Sequence, residues 1–488
     1  MRRRLSLLAV LMLLVGATPA AAQPRDAASS LAAIQDEGLR RSHALELYRT
    51  LTDEIGARLT GSPAHVRAAG WARDRFAEWG LANVHLEPFE FGRGWELESI
   101  SVAMTEPRYV PLIAYADAWS PSTAGVISGR AVYVGDKNAE QIEAMAAKLR
   151  GAIVLTHLPV SDFVTRDRPQ PGLDDRPVAT GNPALPQPRA TSSDLARLLK
   201  SAGAAVALRP STYRDGTVGV VGNPANPPDA VPTIVVAGEQ YNVLARLAEH
   251  GKPPSLRLEL RTRYFEDDRN SYNVIAEIPG RDPAQRNQVV LIGAHLDSWH
   301  TASGATDNAD GAVAVLEAMR ILRAIGAEPR RTIRAALWSG EEQGLLGARA
   351  YVAQHYATPA ERKELAVYLN DDPGSGKTLG FYMEGNAQAK ALFDGWLAPL
   401  EDLGATRNII EGIGSTDHVP FNQAGLLGFN VIKDFTGYDE RTRHTNADYP
   451  ERVTEDALKE SAIVMATFAW RAAMLEGTIP KAAQGSTP

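Results

Sequence analysis

The stretch that decides the fold is Val289-Val290-Leu291-Ile292-Gly293-Ala294-His295-Leu296-Asp297. An uninterrupted apolar run rich in β-branched residues reads as a strand buried on both faces. It ends abruptly on a histidine. Downstream, Ala312 to Ile325 has helical spacing, with Val315, Met319 and Leu322 on one stripe. Thr332 to Trp338 repeats the buried-strand pattern, Leu345 to Gln354 the helical one, and Val367 to Leu369 the strand again. Leu392 to Leu400 then reads as helix, Gly428 to Ile432 as strand, and Glu455 to Leu475 as a terminal helix. Strands alternating with helices predict an α/β fold, a mixed, mainly parallel central sheet flanked by helices. In such sheets ligands bind beyond the carboxyl ends of the strands.

The polar residues of this region fall at those ends. His295 closes the first strand, and Asp297 stands close enough to accept the second N–H of its imidazole. That pairing commonly supports a metal-binding histidine, although alone it equally describes a hydrogen-bonded strand end. Gly304-Ala305-Thr306-Asp307-Asn308-Ala309-Asp310-Gly311 opens the next helix. Asp310 fits an N-cap. Asp307 precedes the helix and is expected to point back to the sheet edge, where one carboxylate can bridge two cations.

Trp338-Ser339-Gly340-Glu341-Glu342-Gln343-Gly344 puts two glutamates after a strand. On a helix start they would be ordinary macrodipole partners. At a strand end neighbouring side chains diverge, so one can bind metal while the other faces a water, giving a ligand and a general base from one dipeptide. Tyr368-Leu369-Asn370-Asp371-Asp372-Pro373-Gly374 again ends a strand in carboxylates, and Arg441-Thr442-Arg443-His444-Thr445-Asn446-Ala447-Asp448 supplies a second histidine from a polar loop. With no cysteine in the chain, a metal must be held by His, Asp and Glu. Two histidines among carboxylates suit zinc, with cobalt or manganese as substitutes. Gly374-Ser375-Gly376-Lys377-Thr378 has the end of a phosphate-binding loop, but Asp371 occupies the position of the first glycine and would repel phosphate. The segment reads as a tight turn.

The flanking sequence bounds the setting. Arg2-Arg3-Arg4, the apolar run Leu5 to Ala17 and Ala20-Ala21-Ala22 form a secretory signal pattern over residues 1–22. Its loss would take the formal charge from −7 to −10, since it holds three arginines and no acid. A mature chain of that charge argues against nucleic acid or anionic lipid as partner, and no membrane span is expected after cleavage. The expected location is periplasmic or secreted. Residues 26 to 95 read as helices followed by a strand. Residues 117–240 read as a separate β-rich module. Its strands are expected near Ala131–Val134, Ala152–Leu155, Ala204–Leu208 and Thr233–Val236, its helices near Ala139–Leu149 and Ser193–Ala202, and a Pro-rich loop runs between Pro159 and Pro188.

Taken in order, these elements resemble the two-zinc exopeptidases of clan MH, in the aminopeptidase and plasma glutamate carboxypeptidase-like group. The likeness extends to Arg58-Leu59-Thr60-Gly61-Ser62-Pro63 and to Ser271-Tyr272-Asn273-Val274-Ile275-Ala276. It implies a zinc peptidase domain made of 23–116 and 241–480, with 117–240 inserted as a protease-associated (PA) domain. It also implies two zinc ions: His295 and Asp372 on one, Glu342 and His444 on the other, and Asp307 between them. Glu341 would be the general base and Asp297 would orient His295. Alignment on the glycine turn selects Asp372 over Asp371, and Arg443 stands where relatives often carry another histidine. His418, in Thr416-Asp417-His418, matches a segment near the substrate and would contact the oxyanion or substrate, or else be a structural loop histidine. The implied activity is aminopeptidase action on peptides, with a dipeptidase or carboxypeptidase-like action on dipeptides as the alternative. A receptor-like binding protein on the same fold and a one-zinc transferase of the glutaminyl cyclase type are the more distant readings. A homodimer is compatible with all of them.

Overall fold

The computed structural model describes residues 27–173 and 192–482. The expected signal segment and the later part of the Pro-rich loop lie outside them. Helices Ala27–Arg40, Ala44–Arg49 and Pro63–Glu78 come first. The last has Pro63 in its first turn and Ser62 as its cap, whose hydroxyl accepts from the His65 N–H at 3.2 Å. Strands β1 (Ala82–Glu90), β2 (Gly94–Glu106), β3 (Val110–Pro111), β4 (Ala114–Ala116), β5 (Ile127–Tyr133), β6 (Ile153–Leu155), β7 (Val206–Pro210), β8 (Thr233–Val236) and β9 (Ser255–Phe265) follow. Then come β10 (Asn270–Ile278), β11 (Val289–His295), β12 (Thr332–Trp338), β13 (Leu365–Asn370), β14 (Ser375–Tyr382) and β15 (Gly428–Asp434).

Seven of these strands form one sheet in the order β1-β10-β12-β11-β13-β15-β14. β12, β11, β13 and β15 run parallel, and the two edges close antiparallel. This is the mixed α/β sheet that the alternation of elements predicts. β11 sits in the middle with every residue buried, which is why its sequence carries no polar alternation. Helices Asp310–Ala324 and Glu455–Met474 pack together and against the sheet. Val315, Met319 and Leu322 are fully enclosed, each such burial contributing roughly 1.5–3 kcal/mol relative to exposure. Phe381, Phe393, Trp396 and Phe468 fill the far end of the same core. Among the described residues, no helix is long and apolar enough to cross a membrane.

The other strands form an eight-stranded sheet, β3-β2-β9-β5-β6-β7-β8-β4, parallel from β5 to β8. This second sheet extends beyond residues 117–240. Its long β2–β9 ladder pairs Gly94 with Phe265 at one end and Glu106 with Ser255 at the other. The two sheets share no strand: Trp299, from the loop after β11, joins the core of the second sheet and lies edge-on to Trp119. The segment read as a tight turn at Gly374–Thr378 instead enters edge strand β14. Gly374 does turn, at φ 125°, but Ser375 pairs with Asp434 and the strand runs to Tyr382.

Candidate metal centre and cleft

The sheet order brings the sequence-predicted residues together. β12, β11 and β13 are adjacent and parallel, so their carboxyl ends deliver Glu341–Glu342, His295 and Asp371–Asp372 to one place. Asp307 reaches them from the turn before helix Asp310–Ala324. That turn is held from two sides. The Asp448 carboxylate accepts from Thr306 N–H and Oγ1, both at 2.8 Å, and from Asp307 N–H at 3.2 Å. Arg58, fully buried, donates to the carbonyls of Ser303 (2.7 Å), Gly304 (2.8 Å) and Leu296 (2.8 Å). Gly304 has φ 59°, and a Cβ there would lie 2.3 Å from the Ser298 Cβ, so the turn requires glycine.

Two donor triads result, sharing Asp307: His295, Asp307 and Asp372, and Asp307, Glu342 and His444. Within each, one donor atom per residue lies within 4.8 Å of the others. His295 Nε2 is 3.3 Å from Asp307 Oδ1 and 3.6 Å from Asp372 Oδ1. His444 Nε2 is 3.4 Å from Asp307 Oδ2 and 2.9 Å from Glu342 Oε2. Among the described residues, His295 Nε2, Asp372 Oδ1 and Glu342 Oε1 are buried without a hydrogen-bond partner, a costly arrangement unless something else satisfies them. Burial pushes the His295 imidazole down, but Glu341, Asp297, Asp307 and Asp372 outweigh it and hold the ring well above its usual pKa. The cluster calls for positive charge, and its nitrogen and oxygen donors fit a divalent cation of the zinc type.

Neighbouring carboxylates separate as strand-end geometry dictates. Asp371 turns away from His295 and meets Lys433 Nζ at 2.7 Å, with Asp310 at 3.0 Å on the same ammonium. Asp310 is therefore engaged in an ion pair, not simply in helix capping. Asp372 is the member of the pair beside His295. Glu342 faces His444 and takes the Trp299 indole N–H at 2.8 Å. Glu341 lines the cleft instead, where burial, only partly countered by His295, raises its carboxyl well above the usual range. The peptide bonds Asp307–Asn308 and Asp372–Pro373 are cis.

Asp297 lies against His295, though with a different division of labour from the expected one. The nearest acceptor for His295 Nδ1 is the Asp297 main-chain carbonyl at 3.0 Å, with the carboxylate at 3.6 Å. The carboxylate accepts from the Thr60 hydroxyl at 2.8 Å and from the Glu341 and Glu342 N–H groups at 3.3 and 3.4 Å. It thereby fixes the turn that presents both glutamates. His418 is not brought into the cluster. It is fully buried, with Nδ1 2.6 Å from Thr416 Oγ1 and Nε2 3.2 Å from Glu384, and is absent from the cleft lining. Its contacts are those of a structural loop histidine. Sequence reasoning missed the roles of Lys433, Arg58, Trp299 and Tyr213. Only Arg58 had a local signal, its place in Arg58-Leu59-Thr60-Gly61-Ser62-Pro63. The other three act across long sequence separations.

The centre opens into a cleft of about 730 Å³ lined by Glu341, Asp372, Arg349, Ser415, Tyr438 and Arg443, among others. The His444 loop forms one wall, and the second sheet's segment supports it from behind. The Val220 N–H donates to the His444 carbonyl at 3.0 Å, and the Asn446 N–H to the Val218 carbonyl at 3.1 Å. The Tyr213 hydroxyl donates to the Arg443 carbonyl at 2.9 Å. Arg168, from the same second unit, binds Asp439 with two contacts of 2.6 Å.

A mixed α/β fold in which strand ends, a pre-helix turn and one loop assemble two acid-histidine triads beside a buried glutamate is that of a hydrolase of the metallo-exopeptidase class. Residues 273–469 match the model of peptidase family M28. Carboxypeptidase Q from Homo sapiens is 26% identical over 464 residues, 93% of this chain and 90% of the human protein. Among solved structures, a peptidase M28 precursor from Shewanella amazonensis aligns at 24% identity and a TM-score of 0.70, covering 94% of this chain and 99% of that one. A zinc aminopeptidase from Bacillus subtilis aligns at 20% identity and a TM-score of 0.59, covering 89% and 95% respectively.

Proposed function

We propose that this protein is an exported, periplasmic or secreted, zinc-dependent exopeptidase that removes residues from the free amino end of peptides, with action on dipeptides as the alternative. The observation that carries the reading is the sharing of Asp307 by two donor triads with Glu341 beside them. One zinc ion would be held by His295, Asp307 and Asp372 and a second by Asp307, Glu342 and His444; cobalt or manganese could substitute. Bound zinc would supply Lewis acidity, lowering the pKa of water and polarising the scissile carbonyl.

The chain's own residues do the rest. Glu341 belongs to neither triad and sits buried at the cleft, where burial raises its carboxyl above the usual range. It accepts the proton of the attacking water and returns it to the leaving nitrogen. Asp297 holds the Glu341 main chain and, through its carbonyl, the ring of His295. Acid residues beside the cleft suit an unblocked substrate amine. Residues 117–240 are proposed as a PA-like insert, and the tie of its Tyr213, Val218 and Val220 to the His444 loop supports a part in shaping the cleft.

Glu341→Gln tests the reading. The variant should retain its metal by elemental analysis while kcat falls about 10²–10⁴-fold. Wild type, zinc-loaded, should cleave peptides with free amino ends and spare their N-acetylated forms. Undiminished turnover by Glu341→Gln removes the base assignment, and equal cleavage of acetylated peptides removes the exopeptidase one.

A further inference from the structure

Three arginines line the cleft, and two of them are accounted for. Arg168 is spent on Asp439 and stacks over Phe435 at 4.5 Å. Arg349 is exposed and bonds the Gly344 carbonyl at 3.1 Å and Gln423 at 3.3 Å. Arg443 differs from both. Its main chain is pinned on either side, the N–H donating to the Tyr438 carbonyl at 2.9 Å and the carbonyl accepting from Tyr213. Its side chain is half-buried in the cleft lining, next to His444 and Asp307. Among the described residues, the guanidinium takes no hydrogen bond and no ion pair. Asp307, Asp439 and Tyr438 act on it only through longer-range attraction.

A positioned, half-buried guanidinium with a vacant fork is a receptor for a planar anion. Its parallel N–H groups match a carboxylate in bidentate fashion, and the bond strengthens where water is partly excluded. We propose that Arg443 receives a substrate carboxylate on the leaving-group side of the scissile bond. The inference rests on the peptidase reading above. The cleft is then bipolar: its acid residues suit the amine of the substrate, and Arg443 suits a negative group one residue beyond the bond that breaks. That pattern describes an unblocked dipeptide, whose α-carboxylate lies there. A longer peptide with Asp or Glu in the leaving position offers the same chemistry from its side chain.

The test is a ratio of kcat/KM values on Ala-Ala, Ala-Ala-amide and Ala-Asp-amide, for zinc-loaded wild type, Arg443→Gln and Arg443→Lys. Wild type should favour Ala-Ala over its amide by about 10–100-fold, the scale of a charge-assisted bidentate bond, expressed chiefly in KM. In Arg443→Gln the ratio should collapse towards one, and in Arg443→Lys, which keeps the charge without the fork, it should fall part-way. A wild-type preference for Ala-Asp-amide over Ala-Ala-amide that Arg443→Gln abolishes assigns the side-chain carboxylate as a source; absence of that preference assigns the α-carboxylate. Thermal protection of the Glu341→Gln enzyme by Ala-Ala, lost when Arg443→Gln is added, reads the same contact without turnover. Should Arg443→Gln not fold, an undiminished ratio in Arg443→Lys overturns the inference. It is also overturned if wild type prefers neither Ala-Ala nor Ala-Asp-amide over Ala-Ala-amide, or if Arg443→Gln slows the substrates equally and leaves the ratios intact. Cleavage of none of the peptides by wild type ends the peptidase reading itself, and the inference with it; equal cleavage of all three ends the inference alone.

Discussion

The two triads that share Asp307 are built by different means. The inner one is a product of the sheet. His295 is the last residue of the central strand, Asp372 follows the neighbouring strand, and both are buried. The outer one is half assembled from a loop. Glu342 follows β12, but His444 stands at φ 58° on a segment with no strand of its own. That segment is fastened by hydrogen bonds to residues 213–220, in the loop that joins β7 to β8 of the second sheet. Strands buried on both faces open only with the whole domain, whereas loops tied by a few hydrogen bonds open locally at lower cost. The proposed inner ion should therefore bind the more tightly, and the outer one should answer to changes in the second sheet.

The harshest way to break the inner half does not touch a donor. Lys433 is buried and holds Asp371 and Asp310, one beside Asp372 and the other at the head of the helix that follows Asp307. Lys433→Met leaves two buried carboxylates without their counter-charge. Removing one partner of such a pair costs about 3–5 kcal/mol. Denaturant unfolding should show a loss of that order, together with weakened inner-site metal binding. A midpoint that does not move would mean that the carboxylates are neutralised by some other route.

His444→Ala separates the halves directly. Elemental analysis should find about one ion per chain in place of about two, with the fold intact by circular dichroism and peptide turnover severely reduced. Loss of both ions would show that Asp307 couples the halves too tightly to be treated as separate. Retention of two would remove His444 from the ligand set.

The same contrast explains what could be read from the sequence. The buried strands were legible because burial on both faces leaves an unbroken apolar run, and a polar residue ending such a run has only the sheet edge to occupy. His295, Glu342 and Asp372 come together on that logic, with Asp307 reaching them from the turn before a helix, and the parallel order of β12, β11 and β13 follows from helices between them. The β2–β9 ladder was not legible, since its two strands are joined by well over a hundred residues and nothing local announces their pairing. β14 was hidden by its glycines, whose turn signal at Gly374 and Gly376 masks a strand held only at an edge. Contacts made by main-chain groups leave no residue signature: the Asp297 carbonyl that takes His295, and the Val218 and Val220 groups that hold the His444 loop. His418 admitted two readings because a histidine near a site and a histidine inside a loop look alike until burial is known.

The subtlest break lies at the fastening itself. Tyr213 is buried, and its hydroxyl donates to the carbonyl of Arg443, the residue before His444. Tyr213→Phe keeps the ring and deletes one hydrogen bond, worth about 1 kcal/mol net. The loop would keep its remaining bonds to Val218 and Val220, so the His444 wall should loosen without opening. The expected result is an outer-site affinity lower by about fivefold, the equilibrium equivalent of that bond, with inner-site affinity unchanged. Stepwise chelator titration, read by metal release and by turnover, measures both constants on one sample. Equal weakening of the two sites would place Tyr213 in general stability. An unchanged outer site would mean that the Val218 and Val220 bonds suffice, and the role of the second sheet would then narrow to that short main-chain ladder.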